Sequence, residues 1–202
     1  MLNSYLLKIA ITGGIASGKS SVCQIFKKLG AYVVNADAIV HEQLLPSTDL
    51  GKKICQLLGI TSSISDADFR KIIAEIVFKD SELLNRLEKI LHPVVLKKIE
   101  KLYNSVLKTG TYTFFVVEIP LLFEIQNEDS YDVVMTVLAD EKIAKKRFGE
   151  QYDARMKRQL NPELKAEKSH FVIHNNGTLE ELEKQVIQIN QTLRNYESRS
   201  TD

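Results

Sequence analysis

The sequence predicts an α/β sandwich of three layers around a parallel sheet, with a helical insert and a lid. Three observations lead there. Short, near-continuous apolar runs recur along the chain, amphipathic helical patterns separate them, and the interval 46–110 carries helical patterns without a strand. Runs that are apolar throughout, rather than alternating, mark strands covered on both faces, as in a parallel sheet flanked by helices.

The runs are Leu6–Thr12, Ala31–Val34 ("AYVV"), Thr113–Ile119 ("TFFVVEI"), Asp132–Leu138 ("DVVMTVL") and the shorter Phe171–His174 ("FVIH"). Glycines follow the first at once, and an amphipathic helix from Lys19 to Leu29 follows the glycines. Within the insert, Phe69, Ile72, Ile73, Ile76 and Val77 share one helical face, and Ser65 with Asp68 resembles a capping box at its start. Asp80 can cap the next helix, whose stripe is Leu83, Leu84, Leu87, Ile90 and Leu91. The His92–Pro93 step is expected to end or kink that helix, with Pro93 then opening another. Val95, Ile99, Leu102 and Val106 carry the pattern to Gly110, a natural C-terminal cap. Thr178 and Glu181 form a further capping pair, opening a helix through about Arg194, after which "ESRSTD" is expected to fray. The expected division is a core of residues 1–45 and 111–202, an acceptor-side insert of 46–110, and a lid at 140–168 within the core.

Composition narrows the function classes. A net charge of +1 leaves no broad basic surface for nucleic acid, so any phosphate must be held by local charge. Cys23 and Cys55 lie in apolar helical patterns without a metal-ligand spacing, which suits buried thiols in a reducing compartment. The N-terminal segment shows no basic leader or cleavage site, and no run approaches the roughly 18 apolar residues of a membrane helix. The protein is therefore expected to be soluble and cytoplasmic, with no membrane partner.

Gly13-Gly14-Ile15-Ala16-Ser17-Gly18-Lys19-Ser20 matches GxxxxGK[ST], between a strand and a helix as the motif requires. Glycines let successive backbone N–H groups, from Gly14 to Ser21, converge on an anion at the positive end of a helix. Lys19 adds a mobile cation that can reach the terminal phosphates of ATP, and Ser20 offers a hydroxyl to Mg²⁺. A guanine-selecting NKxD segment is missing after the late strands. The third strand ends on the lone acidic Glu118, followed by Pro120, which argues against an ATP-driven motor. A small-molecule kinase is the best remaining class.

Such a kinase needs a carboxylate near the acceptor hydroxyl, and Asp37, just past the second strand, is the candidate. Its competing role is to cap the helix that starts near Ala38, and spacing alone does not separate the two. Lys145, Lys146, Arg147, Arg155, Lys157 and Arg158 concentrate positive charge after the fourth strand. Such a run is either a solvated helix face or a lid that closes on ATP. His92 by itself reads as a capping or packing residue.

Taken together, the segments "ITGGIASGKSSV", "VVNADAIVHEQL", "LEKILHPVV", "VEIPLLFE", "RMKRQL" and "FVIHNNGTLEEL" resemble, in order and over nearly the whole length, the dephospho-coenzyme A kinases. The resemblance implies a P-loop kinase core with a helical coenzyme A domain and a lid. It implies transfer of phosphate from ATP to the ribose 3′-hydroxyl of dephospho-coenzyme A, the last step of coenzyme A synthesis, by a monomer or weak homo-oligomer. On it, Asp37 matches the catalytic aspartate and Arg155 falls where a lid arginine nears the phosphates. Thr12 and His92 match acceptor-side positions, and Asn175, Asn176 and Gly177 match the loop that contacts adenine. Two departures stand out: Asn35-Ala36-Asp37 replaces an Asp-Ala-Asp stretch, and the segment between Arg147 and Arg155 is a few residues shorter than usual. The alternatives are a nucleoside or nucleotide kinase on the same core, and an ATP-binding switch without turnover.

Overall fold

The computed structural model describes residues 5–60 and 64–199; Met1–Ser4 at the N-terminus and the last residues of the expected fraying tail lie outside it. Five strands form one sheet in the order β2-β3-β1-β4-β5, from β1 (Leu7–Gly13), β2 (Tyr32–Asn35), β3 (Phe114–Glu118), β4 (Val133–Leu138) and β5 (Phe171–His174). The pairings of β1 with β3, β1 with β4, and β4 with β5 are parallel. Each of these strands lies within a residue or two of its apolar run. β1 and β3 are buried along their whole length, whereas the edge strands β2 and β5 are only partly covered. That difference is why the outer runs are shorter and less apolar.

Side chains alternate across the sheet. Ile9, Ile11, Val133, Met135 and Val137 share a core with Val22 and Phe26 of α1 (Lys19–Lys28) and with Leu182, Val186 and Leu193 of α9 (Leu179–Arg199). The opposite face carries Phe115, which meets Tyr103 edge-on and stacks on Tyr32. Lys8 is buried within β1, its ammonium lying 5.1 and 5.2 Å from the Tyr103 and Tyr131 ring centres. Two aromatic faces thus accept a cation inside an otherwise apolar strand. Helices on both faces complete the three layers.

The chain forms two compact units, Asn35–Leu102 and the remainder. The first holds α2 (Ala36–Gln43), α3 (Asp49–Leu58), α4 (Asp66–Val77) and most of α5 (Ser81–Leu107). Its core joins Leu50, Ile54, Cys55, Phe69, Ile73, Val77, Leu87 and Leu91, the stripes expected from the helical periodicity. Ser65 caps α4 by accepting from the Asp68 amide, and Asp80 Oδ1 accepts from the amides of Glu82 and Leu83 at 2.9 and 3.1 Å.

Pro93 does not end a helix. α5 runs on through it for 27 residues. A proline removes one backbone donor, but Val95 and Ile99 on the same stripe are buried, and packing of that face outweighs the lost bond. Gly110, with φ of 59°, closes a turn beyond Leu107 rather than the helix itself. The Thr178–Glu181 capping box forms as expected, each residue bonding the other's amide, and α9 extends to Arg199, past Arg194.

Candidate active site

β1 delivers the chain into the phosphate loop and α1 takes it out. Gly13 has φ of +141°, and a Cβ on it would lie 2.2 Å from the Val137 carbonyl oxygen of the neighbouring strand. Gly18, the N-cap of α1, has φ of +98°, and a Cβ there would meet the Asn175 amide nitrogen at 2.0 Å. A side chain at Gly13 would run into backbone, and one at Gly18 would be strained and would displace Asn175. Ala16 also takes the left-handed conformation, at φ 54°, a strain typical of functional loops. The Ser17 hydroxyl is buried without a hydrogen-bond partner, a polar atom suited to an anionic ligand.

Lys19 is buried, and its ammonium donates to the carbonyls of Gly13 and Gly14 at 3.2 and 2.8 Å. The cation therefore lies folded along the loop that a phosphate would occupy. One residue on, the Ser20 hydroxyl donates to Glu118 Oε1 at 2.8 Å. Its proton points at the carboxylate and its lone pairs are left for a cation. Glu118, at the C-terminal end of β3, is itself buried. Burial and the Glu118 charge push the Cys23 thiol well above its ordinary range, with Lys19 opposing more weakly. Cys23 is a free, buried, neutral thiol, as is expected of a packing residue; Cys55 is likewise free and buried.

Strands β4 and β5 end beside the loop. The Asn175 side chain donates to Ser17 O at 2.7 Å, and its amide donates to Leu138 O at 2.8 Å. Asn176 and Asp140 bond reciprocally, Asp140 N to Asn176 Oδ1 at 2.7 Å and Asn176 Nδ2 to Asp140 Oδ1 at 2.6 Å. The Asn175 side chain thus ties the end of β5 to the phosphate loop, and the Asn176 side chain ties it to Asp140, just past the end of β4.

Beyond Asp140 come α6 (Glu141–Phe148), α7 (Tyr152–Met156) and α8 (Pro162–Glu167). Lys145 pairs with Glu141 within α6 and with Asp153 of α7, both at 2.9 Å, and these bonds raise its pKa above the ordinary lysine value. Arg155 lies over the Phe148 ring at 5.6 Å, whereas Arg147 reaches the carbonyl of Ala16 in the phosphate loop at 3.5 Å. In this arrangement Arg147, which the sequence placed only within the basic cluster, touches the loop. Thr12 is fully buried, its hydroxyl donating to Pro120 O at 3.2 Å.

Two expected site residues belong to the helical unit. Asn35, not Asp37, is the N-cap of α2: its Oδ1 accepts from the Ala38 amide at 2.9 Å. Asp37 sits exposed in the first turn, so the competing capping role goes to its neighbour. The same asparagine that departs from the Asp-Ala-Asp stretch expected on the resemblance supplies the cap. His92 is half-buried, and burial lowers its pKa, with Glu88 one turn earlier opposing.

Glu118 was legible in part, as an acid at the end of an apolar strand. Glu124 closed the quoted segment "VEIPLLFE" without a role assigned to it, and Lys165 carried no motif. Lys165 is fully buried, and nothing in its local sequence distinguishes it from the exposed lysines around it.

Residues 7–181 match the family model for dephospho-CoA kinase. A dephospho-CoA kinase of Chlamydia pneumoniae is 43 % identical over 188 residues, covering 90 % of this chain and 93 % of that one. One from Protochlamydia amoebophila is 40 % identical over 199 residues, covering 95 % and 98 %. Among solved structures, TT1252 from Thermus thermophilus superposes with a TM-score of 0.76 at 28 % identity, over 94 % of this chain and 98 % of that one. A dephospho-CoA kinase from Campylobacter jejuni gives 0.67 at 27 %, over 92 % and 96 %. A shikimate kinase from Acinetobacter baumannii, at 0.51 and 13 %, shares the fold alone. With the loop, the sheet order and these relatives agreeing, the chain belongs to the dephospho-CoA kinase family.

Proposed function

We propose that the protein transfers the γ-phosphoryl group of ATP to the ribose 3′-hydroxyl of dephospho-coenzyme A, giving coenzyme A and ADP. The observation that carries this reading is the phosphate loop, with Lys19 folded into it and Ser20 held by Glu118, in a chain that matches the family over nearly its full length. Lys19 exchanges two carbonyl acceptors for phosphate oxygens when ATP enters. This is a favourable exchange, because a charged acceptor bonds an ammonium more strongly than a carbonyl does. The Ser17 hydroxyl gains the partner it lacks, and backbone N–H groups from Gly14 to Ser21 receive the remaining charge.

Ser20 and Glu118 fit a Mg²⁺ ion, since both offer hard oxygen donors. Among the described residues no cluster of three or more His, Cys, Asp or Glu side chains could hold a metal. That suits an ion shared between one or two protein oxygens and the nucleotide's phosphates. When bound, the ion neutralises charge on the transferring phosphate.

Asp37 is the proposed general base. Its carboxylate is not used as a helix cap, and it can accept the proton of the acceptor hydroxyl as the new O–P bond forms. Arg155 is the proposed transition-state arginine, released from the Phe148 ring as the lid closes. Asn175, Asn176 and Gly177 present backbone to adenine. His92, held neutral by its surroundings, binds on the acceptor side, while Thr12 acts there through the Pro120 carbonyl. The free thiols suit a reducing compartment, and the proposed setting is the cytoplasm, as a monomer or weak homo-oligomer. No described helix is long and apolar enough to cross a membrane.

The test incubates the protein with ATP, Mg²⁺ and either dephospho-coenzyme A or AMP, and follows ADP release and the phosphorylated product. Coenzyme A is the expected product. Preference for AMP would move the chain to the nucleotide kinases, and release stimulated by neither acceptor would leave only a binding role.

A further inference from the structure

A largely buried ion pair lies beyond the phosphate loop, outside every group assigned so far. Lys165, in α8, is completely buried, and its ammonium is 2.8 Å from Glu124 Oε1. Glu124 lies in the turn that follows β3. The same Lys165 ammonium donates to Pro120 O at 2.8 Å, and that carbonyl also accepts from the Thr12 hydroxyl at 3.2 Å. Glu124 Oε1 accepts in addition from the Leu160 amide at 2.8 Å. Its second oxygen, Oε2, is buried with no hydrogen-bond partner, so Lys165 is the cation that balances this carboxylate.

These bonds join three segments. One is the end of β1, through Thr12. The second is the turn after β3, through Pro120 and Glu124. The third is the C-terminal foot of the lid, where Leu160 and Lys165 flank Pro162. Pro162 is itself tight against the loop: a Cβ on Gly14 would come within 3.1 Å of its Cγ. A second hydroxyl chain secures α8 from behind, with Ser169 Oγ donating to Lys165 O at 2.8 Å and lying 2.7 Å from Thr136 Oγ1 on β4.

We propose that Glu124 and Lys165 are positioning residues for phosphoryl transfer, pinning the lid's foot against the phosphate loop so that closure pivots on the segment before Leu160. The arrangement supports this directly. Before Leu160, α6 and α7 are joined by the exposed Lys145–Asp153 ion pair, whereas from Leu160 onward the Leu160 amide, the Lys165 ammonium and the Lys165 carbonyl are bonded to Glu124, Pro120 and Ser169. A fixed foot keeps Arg155, five residues ahead of Leu160, at a set reach from the phosphates. A misplacement near 1 Å at a reacting centre costs about 10²-fold in rate. Neither residue touches substrate; both act through Pro120, Leu160 and Pro162. The proposal rests on the kinase reading given above.

The test compares wild type, Lys165→Met and the charge-neutral double variant Lys165→Met/Glu124→Gln, in the full chain. Turnover with dephospho-coenzyme A, equilibrium ATP binding and thermal melting are measured for each. Lys165→Met leaves an unbalanced buried carboxylate and should lower both the melting temperature and kcat. The double variant removes that charge and should recover most of the melting temperature. Its kcat should stay lower by about tenfold or more, with the ATP Kd within about threefold of wild type. A kcat that recovers together with the melting temperature overturns the proposal, leaving an ion pair that serves stability alone. So does unchanged turnover in Lys165→Met. If that single variant fails to fold, the double variant decides. A wild-type protein that phosphorylates neither acceptor removes the kinase reading itself, whereas an active wild type with equally active variants removes only this proposal.

Discussion

In the phosphate loop the backbone does the holding. Gly13 lies against the Val137 carbonyl, Gly18 against Asn175, and Lys19 is bound to two carbonyls out of solvent. In the lid, side chains at the surface do it instead. Lys145 bonds Glu141 within α6 and reaches Asp153 of α7, and these two acidic side chains are 68 % and 69 % exposed. Exposed ion pairs contribute little to stability, and salt weakens them. One region is therefore fixed before ligand arrives, while the other can change its internal contacts at small cost. For a phosphoryl-transfer enzyme the division would be useful: on the proposed reading a preformed anion site would hold the donor, and a loosely tied basic segment would close over it and exclude water.

The largest expected effect tests whether loop and lid suffice without the helical unit. Asp37→Asn should lower turnover by about 10²–10⁴-fold, the range of a general base, with ATP affinity nearly unchanged. Since Asn35 supplies the helix cap, the variant should melt like wild type. Unchanged turnover in a steady-state assay would leave Asp37 without a role in the chemistry.

Lys19→Ala probes the fixed region. Turnover is expected to fall by about 10²–10³-fold, as for loss of a preorganised donor. ATP binding, measured by titration, should weaken with it. Normal kinetics would contradict the phosphate grip.

The lid arginines sharpen the contrast itself. Arg155→Ala should lower kcat by about tenfold or more, below the 10³–10⁵ ceiling of an arginine finger, and Arg147→Ala should change kcat less. The reverse order would assign the transition-state contact to Arg147, which already touches the loop at Ala16 O.

The smallest effect concerns pH and the helical unit. The folded protein lowers the His92 pKa from 6.5, mainly through burial. Below 6.5 the unfolded chain takes up a proton that the folded state still refuses, so the unfolded state binds more protons. Stability should therefore decline as the pH falls from near 6.5 toward the lowered value, and be free of this contribution above 6.5. Urea unfolding at several pH values should show a shallower slope for His92→Gln. An unaltered slope would exclude His92 as a contributor.

Much of this was legible before any coordinates. The apolar runs became strands because central strands of a parallel sheet are covered on both faces, and β1 and β3 are buried throughout. The helical stripes of the insert became its core for the same reason of burial at a fixed period. Of the two outcomes expected at Pro93, an end or a kink, the helix does not end there, because packing along α5 outweighs the local rule. Asp37 was ambiguous because a helix starting near Ala38 would make it the N-cap, and only the structure shows the helix starting at Ala36 with Asn35 as its cap. The Ser20–Glu118 contact joins residues 98 apart in sequence, and Lys165 meets Pro120 across 45, so neither left a local pattern.

By itself the sequence determined the fold class, the phosphate loop and the family resemblance, since periodicity, glycine placement and motif spacing are local properties of the chain. Only the tertiary structure decided which groups the loop meets. It placed Glu118 on Ser20, Asn175 on Ser17, Arg147 on Ala16, and the largely buried Lys165–Glu124 pair under the lid's foot. A buried charge must find its counter-charge in space, and the chain brings that partner from wherever the sheet order puts it.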